Sequence, residues 1–122
     1  MQDFKELDVW KKSVALTGEL YRVISRFPSS ERFGLVSQIR RASVSVAANI
    51  ADGWGRGSTG EYIQFLAIAR GSLMERETLL IVASNLNFLT TDEAKAVAKP
   101  AKDIEKMLNR LIAVLNTRRR AS

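Results

Sequence analysis

Gly55-Arg-Gly-Ser-Thr-Gly60 has the G-x-G-x-x-G spacing by which glycine-rich turns bring backbone N–H groups up to a pyrophosphate. That chemistry requires a strand before the turn. The residues before Gly55 carry helical spacing instead, and no Gly-Lys-Ser or Gly-Lys-Thr follows. The glycines are therefore expected to make a tight connection between two helices. An anion held by Arg56 at the N-terminus of the second helix is the other chemistry open to them. Further cations stand at Lys11 and Lys12 and in the run Arg118, Arg119 and Arg120. With Arg56 they are the candidate phosphate contacts, suited to ion pairing and not to making or breaking bonds. A basic terminus can equally be a solubilising end.

Bond-making chemistry has little to work with. The 122 residues include neither cysteine nor histidine. Thiol nucleophiles, Ser-His pairs, the usual zinc sites and the Glu-x-x-His motif of di-iron bundles are all ruled out. Carboxylate, lysine or arginine chemistry, or a magnesium site, is what remains. Glu75 and Glu77 are two residues apart, so on a helix they point about 200° apart and cannot share one site. We expect no enzyme, no cofactor and no metal. The net charge is +6, from 19 basic and 13 acidic side chains, and the three terminal arginines account for half of it. Electrostatic attraction thus permits a nucleic-acid or acidic partner without demanding one.

A second group of polar residues lies further inside the chain. Gln38, Arg41, Ser45, Asn49 and Asp52 recur at helical spacing, and Gln64, Gly71, Glu75 and Thr78 do the same downstream. Such stripes are either solvated surface or a helix interface whose hydrogen bonds fix register. Lysine and glutamate are scarce in the first stripe, which suits the interface reading, with Arg41 and Asn49 meeting carboxylates such as Glu75 across a subunit boundary. Trp10 lies on an apolar stripe and is expected to pack. Trp54, in the glycine-rich loop, is a candidate interface anchor or stacking platform.

Four amphipathic helices must position these groups. The first is expected over Leu7 to Phe27, with Trp10, Val14, Thr17, Tyr21 and Ile24 beside a second stripe of Leu16, Leu20, Val23 and Phe27. Pro28 stops it. Ser29 or Ser30 would cap the second helix, with Glu31 in its first turn, and Leu35, Ile39, Ala42, Val46 and Ile50 would face the core until Gly53 ends it. Ser58-Thr-Gly-Glu61 reads as a capping box opening a third helix of about 45 Å, to Leu89. Gly71 within it marks either a close helix approach or a tolerated glycine.

Thr90-Thr-Asp-Glu93 is a second capping box. Val97, Ala101, Ile104, Leu108, Leu111 and Leu115 then keep one phase through Pro100, which predicts a fourth helix kinked or broken near that proline. The expected fold is all-α: an antiparallel up-down-up-down four-helix bundle over residues 1–117, with a basic tail over 118–122. No apolar run reaches the roughly 18–20 residues that span a bilayer, and Asp3, Lys5, Glu6 and Asp8 stand where a signal peptide needs apolar residues. A cytoplasmic protein without membrane contact is expected.

The stretch from Gln38 to Arg56, with Arg41, Asn49, Ile50, Gly53 and Arg56, resembles the signature of the bacterial 23S rRNA intervening-sequence proteins, also called four-helix bundle proteins. Phe4, Leu7, Trp10, Phe27, Pro28, Glu31 and Leu35 before it extend the resemblance, as do Phe65, Leu66, Ala69, Gly71, Ser72, Leu73 and Glu75 after it. Asp52 and Trp54 replace what are commonly Glu and Phe. The resemblance implies a cytoplasmic bundle assembled as a homo-oligomeric ring, typically a homopentamer, and it supplies no catalytic residue. The expectation is a non-enzymatic oligomer that binds nucleic acid, RNA first, through its basic residues. The alternative is a ring-shaped protein-interaction scaffold that never touches nucleic acid.

Overall fold

Residues 3–121 are described by the computed structural model, and among them four α-helices account for most of the chain. They are α1 (Asp8–Ile24), α2 (Leu35–Trp54), α3 (Thr59–Asn85) and α4 (Thr91–Ala121), with short 3-10 turns at Phe4–Glu6 and Ser29–Glu31. No strand occurs among the described residues. Each helix packs on its sequence neighbours, and α4 closes against α1.

One apolar stripe per helix builds the core, as a bundle requires. On α2 the expected residues Leu35, Ile39, Ala42, Val46 and Ile50 are all buried, and on α4 so are Val97, Ala101, Ile104, Leu108 and Leu115. Of the two stripes predicted for α1, the core keeps Leu16, Leu20, Ile24 and Phe27, and Val9 and Ser13 take the place of Val14 and Tyr21. Val9, Ser13, Leu16, Leu20 and Ile24 face inward, while Val14 and Tyr21 are exposed. Ser13 can sit in that stripe because its hydroxyl donates to the Val9 carbonyl at 2.7 Å, which removes the cost of burying it.

Helix ends differ from the sequence expectation in several places: α1 ends at Ile24 and not Phe27, α3 ends at Asn85 and not Leu89, and both ends of α2 are shifted. Ser29 and Ser30 belong to a separate 3-10 turn, and α2 begins only at Leu35. Glu31 lies one turn upstream, and its carboxylate accepts from the Leu35 N–H at 3.4 Å, reaching a donor that the serines are too far away to satisfy. Gly53 does not end α2, which runs on to Trp54. It is buried inside the last turn, where an added Cβ would stand 2.8 Å from Phe65 Cβ and 3.1 Å from Tyr62 Cδ1. Glycine is needed there for close approach to α3, and the left-handed backbone of this connection falls instead on Gly57, with φ +82°.

The Thr90 capping box forms in full; at Ser58 the hydroxyl's half forms, while the Glu61 carboxylate accepts from that same hydroxyl and not from the backbone. Ser58 Oγ accepts from the Glu61 N–H at 3.1 Å. Thr90 Oγ1 accepts from the Glu93 N–H at 3.1 Å, while the Glu93 carboxylate accepts from the Thr90 N–H at 3.0 Å. That hydrogen bond to Thr90 holds the Glu93 carboxyl below the ordinary carboxylate range, with Arg26 pairing to it as a further cause. Pro100 lies inside a single helix assigned without interruption from Thr91 to Ala121, so the two-helix alternative is not what forms.

Candidate functional site

The helix packing sorts the candidate cations. Arg26, just past the end of α1, pairs with Glu93 at the start of α4. At the other end, Leu7 and Asp8 share a surface depression with Arg110 and Val114 of α4. Gly53 near the end of α2 meets Tyr62 and Phe65 near the start of α3, and the Arg119 guanidinium lies over Gly60. One end of the bundle therefore gathers the beginning of α1, the end of α2, the beginning of α3 and the end of α4. Lys11, Lys12, Arg56, Arg118, Arg119 and Arg120 all lie toward that end. The three arginines occupy the last turn of α4 and not a separate tail, where positive charge also complements the helix dipole.

These cations are not equivalent. Arg56 is committed within the chain: its Nε and Nη2 each donate to the Asp52 carboxylate at 3.1 Å, and its guanidinium stacks 4.5 Å from the Phe65 ring centre. The hydrogen bonds to Asp52 raise its pKa further. Lys11, Lys12, Arg118 and Arg120 are exposed and make no side-chain ion pair among the described residues. The hydroxyl of Ser58 already takes up an N–H of the first turn of α3, so the N-terminus beside the glycine-rich turn is capped by its own side chain.

The polar stripe divides in the same way. Ser45 Oγ and Ser72 Oγ lie 2.9 Å apart and tie α2 to α3, and Asn49 Nδ2 donates to the Ser45 carbonyl at 2.8 Å. Ser45, Asn49 and Asp52 thus find their partners within one chain. Gln38, Arg41 and Glu75 are exposed and find none among the described residues. Trp54 is the last residue of α2 and not part of a loop; it is half-buried and packs edge-on against Tyr62 at 6.1 Å. Trp10 packs against Phe4 at 5.2 Å.

Two features escaped the sequence reading. The first is Arg76, which is 0% exposed. It occupies the heptad position between Leu73 and Leu80 in the run Leu66, Ala69, Leu73, Arg76, Leu80 and Ala83. Among the described residues none of its side-chain nitrogens has a hydrogen-bond partner, and the nearest carboxylate oxygen, of Glu77, is 4.0 Å away. Burial lowers the Arg76 pKa to about 10 despite Glu77, and burial likewise raises that of Glu77. A gap in an otherwise regular apolar heptad was the signal that could have found it.

The second feature is the outward side of α3. Ile68, Met74, Ile81, Val82 and Leu86 are exposed large apolar residues on a helix that also supplies the core. A helix apolar on both sides is normally covered on both. Gly71, on the same outward side, has no atom within 4 Å of an added Cβ, so no helix of the same chain approaches it. Among the described residues no three metal-ligating side chains cluster, and no helix is long and apolar enough to cross a membrane.

A family model described as 23S rRNA-intervening sequence protein matches residues 5–110. A crystal structure of a protein of unknown function from the S23 ribosomal protein family of Bacteroides thetaiotaomicron superposes with a TM-score of 0.76 at 24% identity. The match covers 85% of this chain and 97% of that one. No curated protein matches the chain.

Proposed function

The chain belongs to the 23S rRNA-intervening sequence protein family, and from that premise we propose that it is a non-enzymatic, cytoplasmic homo-oligomer that binds RNA through the basic end of the bundle. The observation that carries the reading is the placing of Arg118, Arg119 and Arg120 in the last turn of α4, at the end of the bundle where α1, with Lys11 and Lys12, begins; Lys11, Lys12, Arg118 and Arg120 make no side-chain ion pair among the described residues. Assembly is supported by the outward apolar residues of α3 and by Arg41 and Glu75, opposite charges on adjoining helices that each lack a side-chain partner among the described residues. Arg41 of one copy meeting Glu75 of the next would satisfy both. A ring of five is the assembly the family resemblance implies, and it would present five basic ends to one RNA through effective concentration.

Phosphate contacts release counterions, so affinity for single-stranded RNA should fall with salt by a log–log slope of about 0.7 per contact. Replacing Arg118, Arg119 and Arg120 together by alanine is expected to lower that slope by about 2, if each contributes one contact. An unchanged slope would remove these arginines from the interface. The same outward α3 face favours a second reading, a scaffold that recruits a protein. Under that reading the triple substitution leaves partner capture intact and the parent protein binds no RNA at low salt.

A further inference from the structure

Away from the basic end, two open depressions of about 710 and 370 Å³ adjoin between α1 and α2, above the 3-10 turn at Ser29–Glu31. They share Arg32 and Arg40, and together they form one trough. Among the described residues no carboxylate lines either half. Phe33 stands at 88% exposure on its rim and Tyr21 at 40%. A ring as exposed as Phe33 contributes nothing to the core, and hydrophobic burial gives no reason for its place.

Each ring is already paired with a cation. The Arg32 guanidinium lies 5.5 Å from the centre of Phe33, and that of Arg40 lies 5.3 Å from the centre of Tyr21. Stacking engages the flat face of a guanidinium and leaves its N–H edge free for an oxygen. Neither arginine makes a side-chain hydrogen bond or ion pair among the described residues. Aromatic faces set beside unpaired guanidiniums, in a groove without acids, are the elements by which single-stranded nucleic acid is held: bases stack and phosphates pair.

We propose that this trough is a binding site for single-stranded nucleic acid, in which Phe33 and Tyr21 stack bases and Arg32 and Arg40 take phosphates. Arg41 lines the larger depression as well but stacks on neither ring. A second copy of the chain is a poorer occupant, because it carries the same +6 charge and would have to bring carboxylates to two arginines. A duplex is also poorer, since its bases are already stacked on each other. The proposal rests on the nucleic-acid reading above for its class of ligand but uses a different surface, so either can fail alone.

The test is fluorescence anisotropy of a labelled ten-nucleotide oligouridylate across a salt series. It compares the parent with Phe33→Ala, with Arg32→Ala/Arg40→Ala, and with the triple substitution at Arg118, Arg119 and Arg120. Phe33→Ala is expected to weaken binding about tenfold at every salt concentration with the slope unchanged, as loss of one stacked base would. Arg32→Ala/Arg40→Ala is expected to lower the slope by about 1.4, for two phosphates. An RNA duplex of equal length is expected to bind the parent more weakly than the single strand. All the groove residues named are exposed, so these variants keep their fold. Parent-like binding by both groove variants, with loss only in the triple variant, overturns the trough and leaves the basic end standing. Parent-like binding with a changed oligomeric mass for Phe33→Ala overturns it too and gives the trough to a second copy. A parent that binds neither RNA overturns both readings.

Discussion

The residue with the largest unbalanced physics in the molecule is Arg76. A guanidinium in the core without a hydrogen-bond partner, 4.0 Å from one half-buried carboxylate, opposes folding through desolvation. Replacing a buried ionic group of this kind by an apolar side chain of similar length usually stabilises a protein by about 1–4 kcal/mol. Arg76→Met is therefore expected to raise the urea midpoint, and a fall by several kcal/mol would mean that the guanidinium is well paired. The pH dependence has a definite sign. With a folded pKa of about 10, below the ordinary arginine value, the unfolded chain binds more protons between the two. Arg76 thus makes stability rise with pH across that window, and its cost is constant below it. The methionine variant should lose this rise when the two stability curves are subtracted.

At the scale of the elements, most of the architecture was legible and the exceptions are instructive. The α2 and α4 stripes and the Ser58 and Thr90 caps could be read from spacing, because a heptad of apolar residues and a Ser/Thr-x-x-Glu pair each have one physical solution. Of the α1 stripes, Leu16, Leu20, Ile24 and Phe27 are buried as read, but aromatic character counted toward the core for Tyr21, whereas Ser13 with its internal hydrogen bond takes a core position. Gly53 was read as a helix end, since glycine serves equally for a left-handed cap and for close packing, and only the neighbouring helix decides. Here α3 decides. An alanine at Gly53 would place its Cβ 2.8 Å from Phe65 Cβ. Gly53→Ala is expected to cost roughly 1–3 kcal/mol through overpacking between α2 and α3, measured as a lower midpoint in urea. A neutral or stabilising effect would show that the two helices can separate without loss.

For the molecule as a whole, the candidate sites were legible as residue types but not as surfaces. Lys11, Lys12 and the terminal arginines come from opposite ends of the sequence, and helix packing brings them toward one end of the bundle. Arg32, Phe33 and Arg40 carried no pattern in the sequence, because a trough between two helices has no fixed spacing along either. The outward apolar side of α3 was hidden for a different reason: the polar stripe of Gln64, Gly71, Glu75 and Thr78 drew attention to its hydrophilic members, while Ile68 and Val82 lie among them. If that side is the subunit boundary, Val82→Lys should yield a smaller species by light scattering with unchanged helical circular dichroism. Val82 is exposed in the single chain, so its substitution should not disturb the core. Retention of the parent mass by both Val82→Lys and Arg41→Ala would move the boundary elsewhere.

Sedimentation velocity of a labelled single-stranded RNA, alone and with the protein at about 50 and 200 mM salt, is the decisive experiment, because one record reports both association and mass. At the lower salt the RNA is expected to move with a particle several chains in mass, and at the higher salt most of it is expected to be released. An RNA that sediments as if alone at both salts, beside a protein of single-chain mass, would contradict an RNA-binding oligomer.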